Sequence, residues 1–354
     1  MNNKLSNKIF AFRSSTEICF AKSQNSRRGG SFASQSTVIN MKEIGGYFGF
    51  EQLPSNEYYS ELLALNSGRN ALLYLLEAKG ISKLYLPFYL CSAVFDLCKG
   101  YVDYDFYHID ESFMPILEKE LGQSEYLYIV NYFGQLSTES IDALKQKYRN
   151  VILDNSQSFF SRPINDIDTI YTCRKYFGVP DGAYLATESG ISRSLECDVS
   201  GNRMKHVVGR FESNAYEYYP DYQEAELTFD HMPLRLMSGL THNILGAIDY
   251  VSVERIRSNN YDYLDQKLGC LNMIKVNSCL GPFAYPFYCE NGMYVKRELA
   301  KLKIYIPTLW PNVISKGDTI EKRYAENILP LPCDQRYTEE DMDYLLNCLL
   351  RFTN

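Results

Sequence analysis

From Met41 onward, short apolar strand-like runs alternate with helix-like segments. That alternation restricts the chain to an α/β domain built on a largely parallel sheet. Asn66-Ser67-Gly68-Arg69 leads into a helical run over 70–78 that Gly80 ends. Residues 83–87 read as a strand, 91–98 as a helix and 126–131 as a buried strand. The spacing predicts a helix over 137–148, capped by Ser137 or Thr138, and strands at 151–153 and 170–173. A further strand at 183–187 is expected to run back along the sheet edge. Between about 188 and 226 the pattern weakens into polar, Tyr-rich sequence. It resumes as one long helix from 235 through 256 toward 264. Strands are expected at 285–288 and 304–307, with helices at 298–302 and 339–352.

A chain of 354 residues exceeds one small core and suits a large domain with a smaller one, here 41–245 followed by 246–354. Residues 1–40 differ from the rest: they are rich in Ser and Asn and carry six Lys or Arg against one acid, Glu17. They read as a disordered or miscalled leader, with Met41 as the natural start. A net charge of -7 supplies no basic face for nucleic acid. No apolar run reaches the length of a membrane span, so a soluble protein is expected. The ten cysteines are scattered without Cys-x-x-Cys spacing, which suits free thiols in a reducing cytoplasm and no metal site. His108 and His231 are isolated and read as packing or surface histidines.

The chemistry-bearing residues cluster around two strands. Val151-Ile-Leu153 delivers Asp154 and Gln157, and Ile170–Cys173 delivers Lys175 into a Gly/Pro turn. Ligand contacts in α/β folds gather at the C-terminal ends of such strands. An aspartate followed by a lysine is what an enzyme needs to hold pyridoxal phosphate (PLP). The carboxylate keeps a proton on the pyridine nitrogen, and the amine is the nucleophile. Cys173, Tyr176 and Phe177 give Lys175 an apolar setting that lowers an amine pKa. Each residue also has a plainer reading. Asp154 fits a turn aspartate, Gln157 a surface amide and Lys175 a solvated lysine. Ser67-Gly68-Arg69 at a helix start is either an N-cap or a phosphate site. Thr172 is placed to offer a hydroxyl to the same phosphate. No Gly-x-Gly-x-x-Gly after a strand, Gly-x-x-x-x-Gly-Lys-Ser/Thr or Gly-x-Ser-x-Gly motif offers another chemistry.

Taken in order, these segments resemble the DegT/StrS-type sugar aminotransferases, a branch of PLP fold type I, from about Met41 to the C-terminus. Asn66-Ser-Gly-Arg-Asn-Ala-Leu resembles the family's Ser-Gly-Thr-x-Ala-Leu phosphate loop, and 86–93 resembles its Pro-x-x-Thr loop, which puts the ring-stacking position at Tyr89 or Cys91. Asn131-Tyr-Phe-Gly-Gln and Asp154-Asn-Ser-Gln157 are similar to its His-x-x-Gly-Gln and Asp-x-Ala-Gln segments. Lys175 falls where the family places its Schiff-base lysine, and 328–333 with 338–342 resembles its Leu-Pro strand and closing helix. Departures are Pro180-Asp-Gly-Ala in place of Glu-Gly-Gly, and Met232-Pro-Leu-Arg235 in place of Gly-x-Asn-x-Arg.

The resemblance implies a three-layer αβα large domain with a smaller α/β C-terminal domain, arranged as a homodimer. It implies PLP held by Lys175, with Ser67, Gly68, Arg69, Tyr89, Asp154, Gln157 and Thr172 around it. The expected reaction moves an amino group from an amino acid such as glutamate to a keto group on a nucleotide-linked deoxysugar. Both partners are small molecules. The rival readings are another PLP reaction, such as dehydration, and a PLP-fold protein that binds a ligand or partner without catalysis.

Overall fold

The computed structural model describes residues 44–230, 232–315 and 317–353, so the leader, Met41 and His231 lie outside the described residues. Residues 44–50 form no helix or strand, and Glu51–Asn354 makes a compact unit of its own. Its strands in chain order are β1 (Leu63–Leu65), β2 (Lys83–Pro87), β3 (Asp103–Ile109), β4 (Pro115–Ile116), β5 (Glu125–Val130), β6 (Val151–Asp154), β7 (Asp168–Thr172), β8 (Ala183–Ala186), β9 (Tyr285–Tyr288) and β10 (Ile328–Leu331). Its helices are α1 (Gly68–Lys79), α2 (Ser92–Cys98), α3 (Thr138–Tyr148), α4 (Lys205–Glu212), α5 (Tyr219–Leu227), α6 (Gly239–Gly246), α7 (Tyr250–Leu268), α8 (Gly292–Lys301), α9 (Ile320–Asn327) and α10 (Glu339–Leu349).

Eight strands form one mixed sheet in the order β1-β8-β7-β6-β5-β2-β3-β4, and β9 pairs with β10 in a second. The run from β7 through β6, β5 and β2 to β3 is parallel, and the outer pairings are antiparallel. Every residue of β6 is buried, as expected of a parallel strand covered on both faces. α1 starts because the Ser67 hydroxyl accepts from Asn70 N–H, and it stops at Gly80, whose φ of 57° is left-handed. The main core packs α1 and α3 against this sheet, while β9, β10, α7, α8 and α10 share a separate apolar core around Leu264, Phe287 and Leu345. A third, aromatic core gathers Tyr59, Phe159, Tyr171, Tyr176 and Tyr184. Tyr59 and Tyr171 both donate their hydroxyls to the Ser161 carbonyl, at 2.8 Å each, so these buried tyrosines are polar-satisfied packing.

Four sequence expectations need correction. The strand at 183–187 is not the edge, because β1 pairs outside it. The long helix over 235–264 is two helices. Gly246 packs so tightly that a Cβ would lie 2.4 Å from the Pro54 carbonyl oxygen, and Asp249 then caps α7 by accepting from Ser252 N–H at 3.0 Å. Residues 304–307 pair with no strand, and they follow Lys303, whose positive φ of 62° turns the chain. The weakly patterned stretch 188–226 contains α4 and α5, two surface helices whose exposed Phe211 and Leu227 obscure any apolar periodicity.

A pH prediction follows from the pair that ties the residues before β1 to α6. His242 Nδ1 lies 2.7 Å from Glu57 Oε1, and the Tyr184 hydroxyl donates to the same carboxylate. The Glu57 hydrogen bond raises the His242 pKa above its usual value. Burial alone would raise the Glu57 pKa, but its bonds from His242 and Tyr184, together with the His242 charge, hold it below normal. Stability from Glu57 is therefore present above its unfolded pKa of 4.5 and lost as pH falls through the depressed folded value. Stability from His242 is complete below its unfolded pKa of 6.5 and lost as pH rises through the raised folded value. Urea midpoints of wild type against His242→Gln should differ most between pH 4.5 and 6.5 and converge once pH exceeds the raised His242 pKa. The His242 ring is 41% exposed, so solvent screening keeps the effect within about 1 kcal/mol.

Candidate active site

Parallel pairing puts Asp154 at the C-terminal end of β6, level with Val130 of β5 and Ile170 of β7. The carboxylate is buried. Its Oδ2 accepts from the Tyr128 hydroxyl at 2.8 Å, and its Oδ1 from Ser156 N–H at 2.8 Å. Each oxygen keeps a further lone pair for a ligand donor.

β7 runs on through Thr172 and Cys173 into the turn that carries Lys175. Tyr176 and Phe177 N–H both donate to the Cys173 carbonyl at 2.9 Å, and Cys173 N–H donates to the Gly182 carbonyl at 3.0 Å. Gly182 has a φ of 116°, and a Cβ there would sit 3.0 Å from Thr241 Cγ2 and 3.2 Å from Cys173, so glycine is required. Buried Asp181 ties this turn to the start of α6 by accepting from Ser238 N–H at 2.9 Å and its hydroxyl at 2.7 Å.

Ser156 joins these parts. Lys175 Nζ donates to Ser156 Oγ at 2.8 Å, and Thr172 Oγ1 donates to the Ser156 carbonyl at 3.4 Å. Gly68 closes on the same point, since a Cβ there would lie 2.8 Å from Thr172 Cγ2. The start of α1 thus meets the Lys175 turn directly. The Lys175 side chain reaches a cavity of about 980 Å³ whose walls include Phe283, Arg210, Tyr216, Lys303 and Tyr305. It is accessible to solvent there yet ringed by protein. The resulting loss of hydration lowers the Lys175 pKa, with Asp154 and Cys91 opposing the shift.

A second lysine, Lys296, is also pushed down, to about 8, by burial. Its amine is spent on the Ala325 and Glu326 carbonyls at the end of α9, at 3.1 and 3.4 Å, which makes it a helix cap rather than a nucleophile.

The structure therefore brings Asp154, Thr172, Lys175 and Gly68 together around Ser156. Gln157 is buried beside them. Its Oε1 accepts from Phe133 N–H at 2.8 Å, while its Nε2 has no partner among the described residues. Ser67 spends its hydroxyl on the α1 cap. Arg69 turns its guanidinium to Asp230 at 2.6 Å. The Tyr89 ring lies stacked on Tyr132 and edge-on to Trp310 in the main core. Cys91, the other ring-stacking position expected, is exposed and near enough to Lys175 to act on its charge. His108 lies on β3 with its Nδ1 2.9 Å from Glu321.

Sequence reasoning missed Ser156, Tyr128 and Arg257. Tyr128 shares a sheet face with Asp154 by alternation along β5, but the register that shows this is not in the sequence. Ser156 stands between two residues singled out as ligands, so its position was available.

No protein-family model and no curated protein matches the sequence. Solved structures do. A DegT/DnrJ/EryC1/StrS aminotransferase from Brucella abortus matches over 83% of this chain and 86% of its own, with a TM-score of 0.56 at 15% identity. The NtdA protein of Bacillus subtilis, solved with bound cofactor PMP, matches over 82% of this chain and 72% of its own, with a TM-score of 0.58 at 14% identity. A sugar aminotransferase from Micromonospora echinospora matches over 82% and 87%, with a TM-score of 0.55 at 12% identity. The chain has the α/β fold of the PLP fold-type I aminotransferases, as its segment order implied.

Proposed function

We propose that the chain is a PLP-dependent aminotransferase that moves an amino group from an amino acid, with glutamate the expected donor, to a keto group on a nucleotide-linked deoxysugar. The observation that carries this reading is the junction at Ser156, where a buried carboxylate and a lysine amine meet on the wall of a large cavity. The residues fit the cofactor. Gln157 Nε2 is a buried donor awaiting an acceptor, and Gly68 leaves α1 free of a Cβ where it closes on Thr172. When bound, PLP supplies an electrophilic aldehyde carbon and a pyridine ring that accepts the electron pair released at the donor's Cα.

Asp154 would hold the proton on the ring nitrogen, with Tyr128 and Ser156 N–H fixing the orientation of its carboxylate. Ser67, Gly68, Arg69 and Thr172 would take the phosphate, and Gln157 Nε2 the phenolic oxygen. The ring-stacking contact falls to Tyr89 or Cys91. Lys175 Nζ, oriented by Ser156 Oγ, would take the proton from the donor's Cα and deliver it to the former aldehyde carbon of the cofactor, because its lowered pKa lets it serve as base and then acid. The homodimer, the cytoplasmic location and the division into 41–245 and 246–354 belong to the same proposal. In its support, the second sheet lies wholly after residue 245, and the nine described cysteines are free. No helix among the described residues is long and apolar enough to cross a membrane.

The test is a half-reaction. Glutamate added to the PLP-loaded protein should replace the long-wavelength absorbance with the shorter-wavelength band of the amine form. An absorbance indifferent to every amino donor would favour different PLP chemistry or a silent binding protein.

A further inference from the structure

Next to the Gly68–Thr172 contact, three guanidiniums converge on one ring. Arg69, Arg174 and Arg203 lie 5.6, 4.5 and 5.0 Å from the centroid of the Phe229 ring, which is buried beneath them. They come from three elements: the second residue of α1, the turn of Lys175, and the bend before α4. The acids that answer Arg69 and Arg174 come from one short stretch. Glu226 of α5 pairs with Arg174 and lies 3.8 Å from Arg69, and Asp230 takes Arg69 at 2.6 Å. The cluster is not saturated. Arg203 is 7% exposed, yet its Nε has no partner among the described residues, although its Nη2 reaches Asp198 at 2.5 Å. Burial lowers the Arg174 pKa to about 10, with Tyr222 opposing and the Arg69 and Arg203 charges adding to the shift. The acids are the replaceable part, with side chains 35% and 47% exposed.

We propose that Glu226 stands in for a phosphate-type oxyanion between Arg69 and Arg174, so that phosphate arriving at the start of α1 displaces the carboxylates of α5. Two guanidiniums meeting one dianion match phosphate better than one carboxylate does. α5 packs on α4 and on the bend at Gly201–Arg203, so its release is felt there first. Arg210 of α4 and Asn214, Tyr216 and Glu217 of the α4–α5 connection wall the Lys175 cavity. Phosphate occupancy and the shape of the cavity mouth are thereby coupled through one surface element. This deepens the aminotransferase reading, which supplies the cofactor phosphate as the natural occupant.

Inorganic phosphate tests it on the full-length chain without cofactor chemistry. Glu226→Gln should bind inorganic phosphate about tenfold more tightly than wild type, because a competing charge-assisted bond is gone. Arg174→Gln should abolish that binding in either background. Phosphate should also speed hydrogen exchange at the amides of α5 in wild type. Equal or weaker phosphate binding by Glu226→Gln, or unchanged exchange over α5, overturns the proposal. Asp230→Asn, expected to shift affinity in the same direction, replaces Glu226→Gln should that variant misfold. If the phosphate effects appear while PLP never attaches to Lys175, the cofactor reading fails and the oxyanion site stands. If PLP attaches but Glu226→Gln leaves phosphate affinity unmoved, the oxyanion site alone fails.

Discussion

Replacing Lys175 with alanine is expected to abolish covalent capture of PLP and to lower amino transfer by about 10³-fold or more, the combined scale of a lost nucleophile and a lost acid–base group. The loss should come without unfolding. The polar partner of Lys175 is Ser156, its side chain reaches an open cavity, and its neighbours Cys173 and Tyr176 are held by backbone bonds of their own. The thermal midpoint of Lys175→Ala should therefore match wild type. Ser156→Ala removes only the orienting hydroxyl and should fall between the two in rate. A Lys175→Ala protein that turns over at the wild-type rate would remove this lysine from the mechanism.

The largest effect on stability is expected at Arg257. This residue lies on α7, is 2% exposed, and spreads its guanidinium over three partners from distant parts of the chain. Its Nη2 donates to the Tyr176 carbonyl at 3.1 Å, its Nη1 to the Pro282 carbonyl at 2.9 Å, and its Nε to Gln335 Oε1 at 2.7 Å. Its Cζ lies 4.4 Å from the Tyr176 ring centroid, and Gln335 Nε2 adds a second bond to the Tyr176 carbonyl at 2.8 Å. Burial lowers its pKa, with Tyr176 and Asp334 opposing. Arg257→Ala leaves a buried carbonyl and amide unpaired and opens a cavity, so unfolding in urea should show a loss of about 3 kcal/mol. Because Tyr176 follows Lys175 directly, the variant should also capture PLP about tenfold more slowly at concentrations where it remains folded. Arg257→Lys keeps the charge but not the three-way fork and should recover less than half of the stability.

The two effects mark where the sequence was legible and where it was not. Asp154 and Lys175 could be read because each follows a short apolar strand and is bounded by turn residues, so local chemistry and local pattern agree. α1, β2, α3, β6 and β7 were legible for the same reason, with clear caps at Ser67, Gly80 and Ser137. Arg257 could not be read. Its partners, Tyr176, Pro282 and Gln335, lie far away in sequence, and nothing near it distinguishes it from a surface arginine on an amphipathic helix. β1 is only three residues long, and its pairing with β8 is purely tertiary. The division between α6 and α7 depends on the close approach of Gly246 to Pro54, a contact across the fold that overrides helical propensity. Arg69 shows the limit from the other side. Its place after Ser67-Gly68 points to phosphate, but its pairing with Asp230 and Glu226 depends on α5, a helix with no readable pattern.

The central claim is that this fold places one reactive amine, that of Lys175, where PLP is held. Borohydride reduction of the full-length protein mixed with PLP, followed by peptide mass mapping, tests it most directly. The account predicts a single pyridoxyl group on Lys175 and none on Lys296, whose amine is buried and bound to helix carbonyls. A pyridoxyl group on Lys296, labelling scattered over surface lysines, or no label at all would contradict it.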